Sequence, residues 1–143
     1  MKGLPVRVRV RLESTRSSNS VETIAFLNTG FTSDTLDIHI PLDIAEKLKL
    51  WPPPSNAVLE SLDTSGGEVL SYFIPDAVKL TVLEDDRCSK TITCNAIITT
   101  YEREVLLSDA VIEELEIEIL SPKTGLWRFK GEEKVRRGLT SED

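Results

Sequence analysis

Apolar and polar residues alternate from the start of the chain. Val6, Val8, Val10 and Leu12 take turns with Arg7, Arg9 and Arg11, the period-two pattern of a half-buried strand. The polar run 14–20 reads as a loop. Val21 to Leu27 is a second strand, and its end, Ile24-Ala25-Phe26-Leu27, is continuously apolar, as in a strand covered on both faces. That run stops abruptly at Asn28-Thr29-Gly30. Leu36, Ile38 and Ile40 then alternate with Asp37 and His39 in a third strand, which predicts His39 on the exposed face or satisfied at an edge.

Pro41 opens a short helix, where its missing N–H costs nothing, and Leu42, Ile44, Ala45 and Leu48 supply the apolar face. Trp51 and prolines 52–54 end it. Extended segments 58–62 and 68–73 flank the turn Asp63-Thr64-Ser65-Gly66-Gly67 and predict a β-hairpin. Segments 77–83 and 90–100 form another pair around the turn 84–87. Val105-Leu106-Leu107 is a short strand, and Ser108 caps a helix over 109–115. Strands follow at 116–120 and 126–130, and the charged, apolar-poor stretch 131–143 predicts a disordered tail. The total is about nine short strands and two short helices in one domain over 1–130, the pattern of a small all-β closed barrel or sandwich.

Composition narrows the function classes. The net charge of −7 argues against nucleic acid as a partner, and Arg7, Arg9 and Arg11 read as one solvated strand face. No run of 18 apolar residues is present, so no membrane span is predicted. The segment MKGLPVRVRVRLE lacks an apolar stretch of signal-peptide length, which predicts a cytoplasmic location. Cys88 and Cys94, on one extended strand, stand about 20 Å apart, beyond the roughly 7 Å Cα separation of a disulfide. They are expected to be free, buried thiols in a reducing compartment. One histidine, no CxxC and no Gly-rich phosphate loop leave no metal and no cofactor to predict.

The order of parts resembles the retropepsin-like aspartic peptidases, in particular the single-domain prokaryotic, archaeal-type members. FLNTG (26–30) stands where the family has an apolar strand followed by Asp-Thr/Ser-Gly. IPLDIAEKLKL (40–50), the hairpin 59–73 and LLSDAVIEELEIEI (106–119) stand at the next strand and helix, the flap, and the second motif with its helix. SPKTGLWRF (121–129) is similar to the ends of the prokaryotic single-domain members, so the resemblance covers roughly residues 5–130.

The resemblance implies an all-β, closed retropepsin-type barrel working as a homodimer, with peptide or protein substrates. In that family each chain supplies one loop, and two aspartates meet across a two-fold axis to share a proton and activate water. The catalytic positions here are Asn28, Thr29 and Gly30, and the substrate-binding flap is Asp63, Thr64, Ser65, Gly66 and Gly67. Two departures matter: Asn28 replaces the aspartate, and Ser108 replaces the glycine of the second motif. An amide neither gains nor loses the shared proton, so the chain as written is expected to be an inactive form of an aspartic endopeptidase. Asn28 is then an engineered substitution, a natural feature of a non-catalytic peptide-binding or dimerisation module, or a sign that the resemblance is accidental. Asp63-Thr64-Ser65-Gly66 also looks like a peptidase loop, but the mixed segment before it and the glycines after it suit a turn better.

Overall fold

The computed structural model describes residues 6–64 and 67–140. Among the described residues, ten strands and two short helices follow one another as β1 (Arg7–Ser14), β2 (Ser20–Leu27), β3 (Asp37–Pro41), α1 (Leu42–Lys47), β4 (Val58–Thr64), β5 (Gly67–Leu83), β6 (Ile92–Thr99), β7 (Val105–Leu107), α2 (Asp109–Glu114), β8 (Ile117–Ser121), β9 (Leu126–Phe129) and β10 (Arg136–Arg137). Strands β1-β2-β7-β3-β6-β5 form a sheet that closes into a six-stranded barrel because β1 also pairs with β5. Closure decides between the barrel and the sandwich that the strand pattern leaves open, and it hides the sheet edges. β4 adds to β5 outside the closed ring.

The alternating positions of β1 do what their period demands. Val8, Val10 and Leu12 are buried in the core with Ala25, Ile38, Leu80, Ile98 and Leu107. β5 is longer than the two segments read from the sequence. It runs unbroken across Pro75, and its register against β6 shifts between Ile74 and Val78. Proline cannot donate to the ladder, so the strand bulges there, with Asp76 at a positive φ of 47°. The bulge is held from outside: Asn95 Oδ1 accepts from the Asp76 N–H, and the Thr15 hydroxyl donates to the Asp76 carbonyl.

Three expectations, at His39, in the tail and at Cys88, need correction. His39 is buried, not exposed, because β3 lies inside the sheet between β7 and β6 and both of its faces are covered. The charged stretch 131–143 was expected to hang free, yet its described part, to Thr140, is bonded to the barrel. β10 pairs with β9, the Leu139 N–H donates to the Arg7 carbonyl, and Gly138 lies so close to β1 that an added Cβ would sit 3.1 Å from the Arg7 nitrogen.

Arg136 explains why so polar a segment docks. Its side chain is 2% exposed and donates to Glu84, Asp86 and Glu132. The guanidinium also lies over the rings of Phe129 and buried Trp127, at 5.2 and 5.8 Å from their centroids. The carboxylates respond in different directions. Hydrogen bonding from Arg136 holds Glu132 down to about 2 and Asp86 well below the usual carboxylate range. Burial dominates at Glu84 and raises it, despite the same cation.

Both cysteines are free thiols, but only Cys94 is buried. Cys88 is exposed because it precedes β6, in the turn that brings it opposite Leu83. Burial, with the charge of Asp37 behind it, pushes Cys94 up to about 12. The native protein should therefore show one thiol that reacts quickly with a maleimide or aromatic disulfide. The second should react at least about a hundredfold more slowly, until denaturant is added. Two fast thiols would mean that β6 opens readily.

Candidate functional site

The loop after β2 is built by threading one strand through it. β7 lies between β2 and β3, parallel to β2 (Phe26 opposite Leu106) and antiparallel to β3 (His39 opposite Leu106). The Asn28 N–H donates to the Leu107 carbonyl at 3.0 Å, and the Asp109 N–H donates to the Phe31 carbonyl at 2.9 Å. Loop 28–36 is thus tied to the junction of β7 and α2 at Asn28 and Phe31, and just past its far end the Ser108 N–H donates to the Asp37 carbonyl at 3.3 Å. Ser108 is fully buried at that junction, and its hydroxyl accepts from the Val111 N–H as the cap of α2. The far arm is held by Asp37, whose carboxylate accepts from the hydroxyls of Ser33 and Thr35 and from Asn95 Nδ2.

Asn28 is half-buried at the start of the loop, while Thr29 and Gly30 are exposed. Its Oδ1 accepts from the Gly30 N–H at 3.1 Å. A donor must face the oxygen of an amide, so this bond sets which end points inward. A Cβ on Gly30 would stand 3.3 Å from that oxygen, so glycine leaves the bond unhindered. Among the described residues no acceptor holds Nδ2, which leaves the amide donors free.

Asn28 borders two hollows. One, of about 260 Å³, is walled by Phe31, Ile97 and Leu106, with His39, Thr99, Tyr101 and Glu102 as its polar members. The other, of about 130 Å³, lies beside Thr29 and is lined by Val6, Phe26, Leu27, Ile119 and Pro122. His39 sits in the first with both nitrogens engaged. Nδ1 faces the Glu104 carbonyl at 3.1 Å and so must carry the proton, and Nε2 accepts from the Thr99 hydroxyl at 2.7 Å. Burial pushes His39 below the ordinary imidazole value, against smaller raising effects from the Glu104 carbonyl and the Glu102 charge. A neutral imidazole so bonded has no lone pair left for a reacting proton.

Of the five positions expected to form a flap, Asp63, Thr64 and Gly67 fall on the β4–β5 hairpin. Asp63 pairs with Glu68 and Thr64 with Gly67, which has φ of 114°, while Ser65 and Gly66 lie outside the described residues. Asp63 therefore belongs to a hairpin strand and not to a loop following a buried strand. The hairpin carries exposed apolar side chains: Val58, Leu59 and Leu70 are each at least half exposed. Among the described residues no group of three or more His, Cys, Asp or Glu is placed to hold a metal ion, and no helix is long and apolar enough to cross a membrane.

The pocket around His39, Thr99 and Glu102 had no sequence signal. Its members come from the loop after β2, β3, β6, the turn before β7 and β7 itself, and the pairing of β3 with both β6 and β7 brings them together. The chain matches no protein-family model and no curated protein.

Proposed function

We propose that the chain is a half-site of retropepsin-like type. Two copies meet across a two-fold axis, bring their Asn28 loops face to face and form a groove that takes a peptide in extended form. As written it binds without hydrolysing; with aspartate at position 28 it is an aspartic endopeptidase. The observation that carries this reading is the setting of Asn28. It follows buried Leu27 at the end of β2, its backbone is tied to the β7–α2 junction, and its side-chain oxygen is oriented by the Gly30 N–H. That setting would orient a carboxylate equally well, and a carboxylate is what such a loop needs to activate water.

Exposed Thr29 and Gly30, beside the apolar hollow of Phe26, Ile119 and Pro122, give the second copy a surface to cover. Sedimentation equilibrium at tens of micromolar protein should report a dimer. Thr29→Cys, placed in a Cys88→Ser background, should then crosslink that dimer through the two loops on mild oxidation. A monomer, or a dimer that Thr29→Cys fails to crosslink, would count against the two-fold groove.

A further inference from the structure

Among the residues lining the larger hollow, Glu102 alone carries a formal charge at neutral pH. Phe31, Ile97 and Leu106 give apolar walls, Tyr101 is 53% exposed, and the polarity of His39 and Thr99 is spent on their mutual bond and the Glu104 carbonyl. Glu102 is fixed in place. Its Oε1 accepts from the N–H groups of Arg103 at 3.0 Å and Glu104 at 3.4 Å, the local turn that precedes β7. Among the described residues no cation neutralises it, and the nearby Arg7 is bound by Glu104 instead. The volume of about 260 Å³ falls just below the roughly 300–1,000 Å³ of pockets for whole small ligands, and suits one long side chain.

We propose that this hollow is a specificity pocket for a lysine or arginine side chain of the bound peptide. The aliphatic stem lies against Phe31, Ile97 and Leu106, the charged head meets Glu102, and the open face of Tyr101 adds cation–π attraction. The inference rests on the peptide-groove reading and names the substrate class for that groove. A basic partner also suits a chain of net charge −7, whose field favours approach of cationic peptides.

The test uses the full chain with Asn28 in place and fluorescence anisotropy of labelled, end-blocked octapeptides. The peptides share a Val/Ala host and differ at one central position: lysine, arginine, norleucine or glutamate. Lysine and arginine peptides should bind about tenfold or more tighter than the norleucine peptide, as a charge-assisted hydrogen bond in a part-buried site supplies. Glu102→Gln keeps an oxygen for the two turn N–H groups, so it should leave the norleucine peptide unchanged and bring the basic peptides within about twofold of it. Binding with no basic preference, or a preference that survives Glu102→Gln, would overturn the pocket and leave the groove standing. Equal weakening of all peptides by Glu102→Gln would assign the residue to loop structure alone and overturn it too. Failure of every peptide to bind would defeat the groove itself.

Discussion

Asn28→Asp should turn on peptide hydrolysis, and the chain as written should show none. The change swaps one nearly isosteric group for another, and the new carboxylate inherits an oxygen already aimed at the Gly30 N–H. What it adds is a proton that can be gained and lost. General acid–base participation of that kind is worth roughly 10²–10⁴ in rate. With two such carboxylates facing each other, one proton is shared, as the handful of well-studied acid-peptidase dyads illustrate. Like charges at that range raise the pKa of one member above that of free aspartate. A group raised in the folded dimer stabilises it at low pH, and that contribution is lost as pH rises through the raised value. The Asn28→Asp dimer should therefore tighten in acid, and the chain as written should show the weaker dependence. A quenched-fluorescent peptide library and dimer affinity, both followed from acid to neutral pH, read the two effects. If Asn28→Asp folds and dimerises yet cleaves nothing at any acid pH, the endopeptidase reading falls and the binding module is what remains.

Arg136→Met should strongly destabilise the fold. Methionine keeps the apolar stem over Trp127 and Phe129 but removes the five donors that Glu84, Asp86 and Glu132 share. Removing one partner of a fully buried pair typically costs about 3–5 kcal/mol. Here the cation is buried but its carboxylates are 17–43% exposed and keep some water, so roughly 2–4 kcal/mol is the appropriate range. The pH dependence has a definite sign. Glu132 and Asp86 are depressed in the fold, so their contribution is present above the ordinary carboxylate range and is lost as pH falls toward 2. Glu84, raised by burial, works in the opposite sense and offsets part of that loss. Urea unfolding at pH 7 and pH 3 should show a drop in stability on acidification that Arg136→Met largely abolishes. A loss at pH 7 below about 0.5 kcal/mol would mean that the segment past Phe129 is held by its backbone bonds instead.

The reading of Asn28 shows how far local pattern reaches. A continuous apolar run ending in Asn-Thr-Gly marks the end of a strand and a tight loop, and both are where the pattern puts them, although only Ala25 and Leu27 are buried and the other face, with Ile24 and Phe26, is half-buried. His39 shows where it fails. Alternation places it opposite Ile38 and Ile40, and that part holds. Whether the opposite face meets water depends on what pairs alongside, and β6 arrives from more than fifty residues away. The tail fails for a related reason. Its composition is that of a solvated segment, but one arginine joins Glu132 of its own segment to Glu84 and Asp86 in the turn after β5, which composition alone does not register.

By itself, the sequence determined the local elements of this protein: the period-two strands, the proline- and serine-capped helices, the turns at glycine and aspartate, and the loop that carries Asn28. These follow from steric and hydrogen-bonding preferences that act over a few residues. Only the tertiary structure decided that the sheet closes through β1 and β5, that β7 threads between β2 and β3, and that His39 and Glu102 share a pocket with Asn28. Those outcomes depend on pairings between segments distant in the chain. Each is set by which closed arrangement buries the apolar faces and satisfies the backbone together, a condition that no single stretch of residues contains.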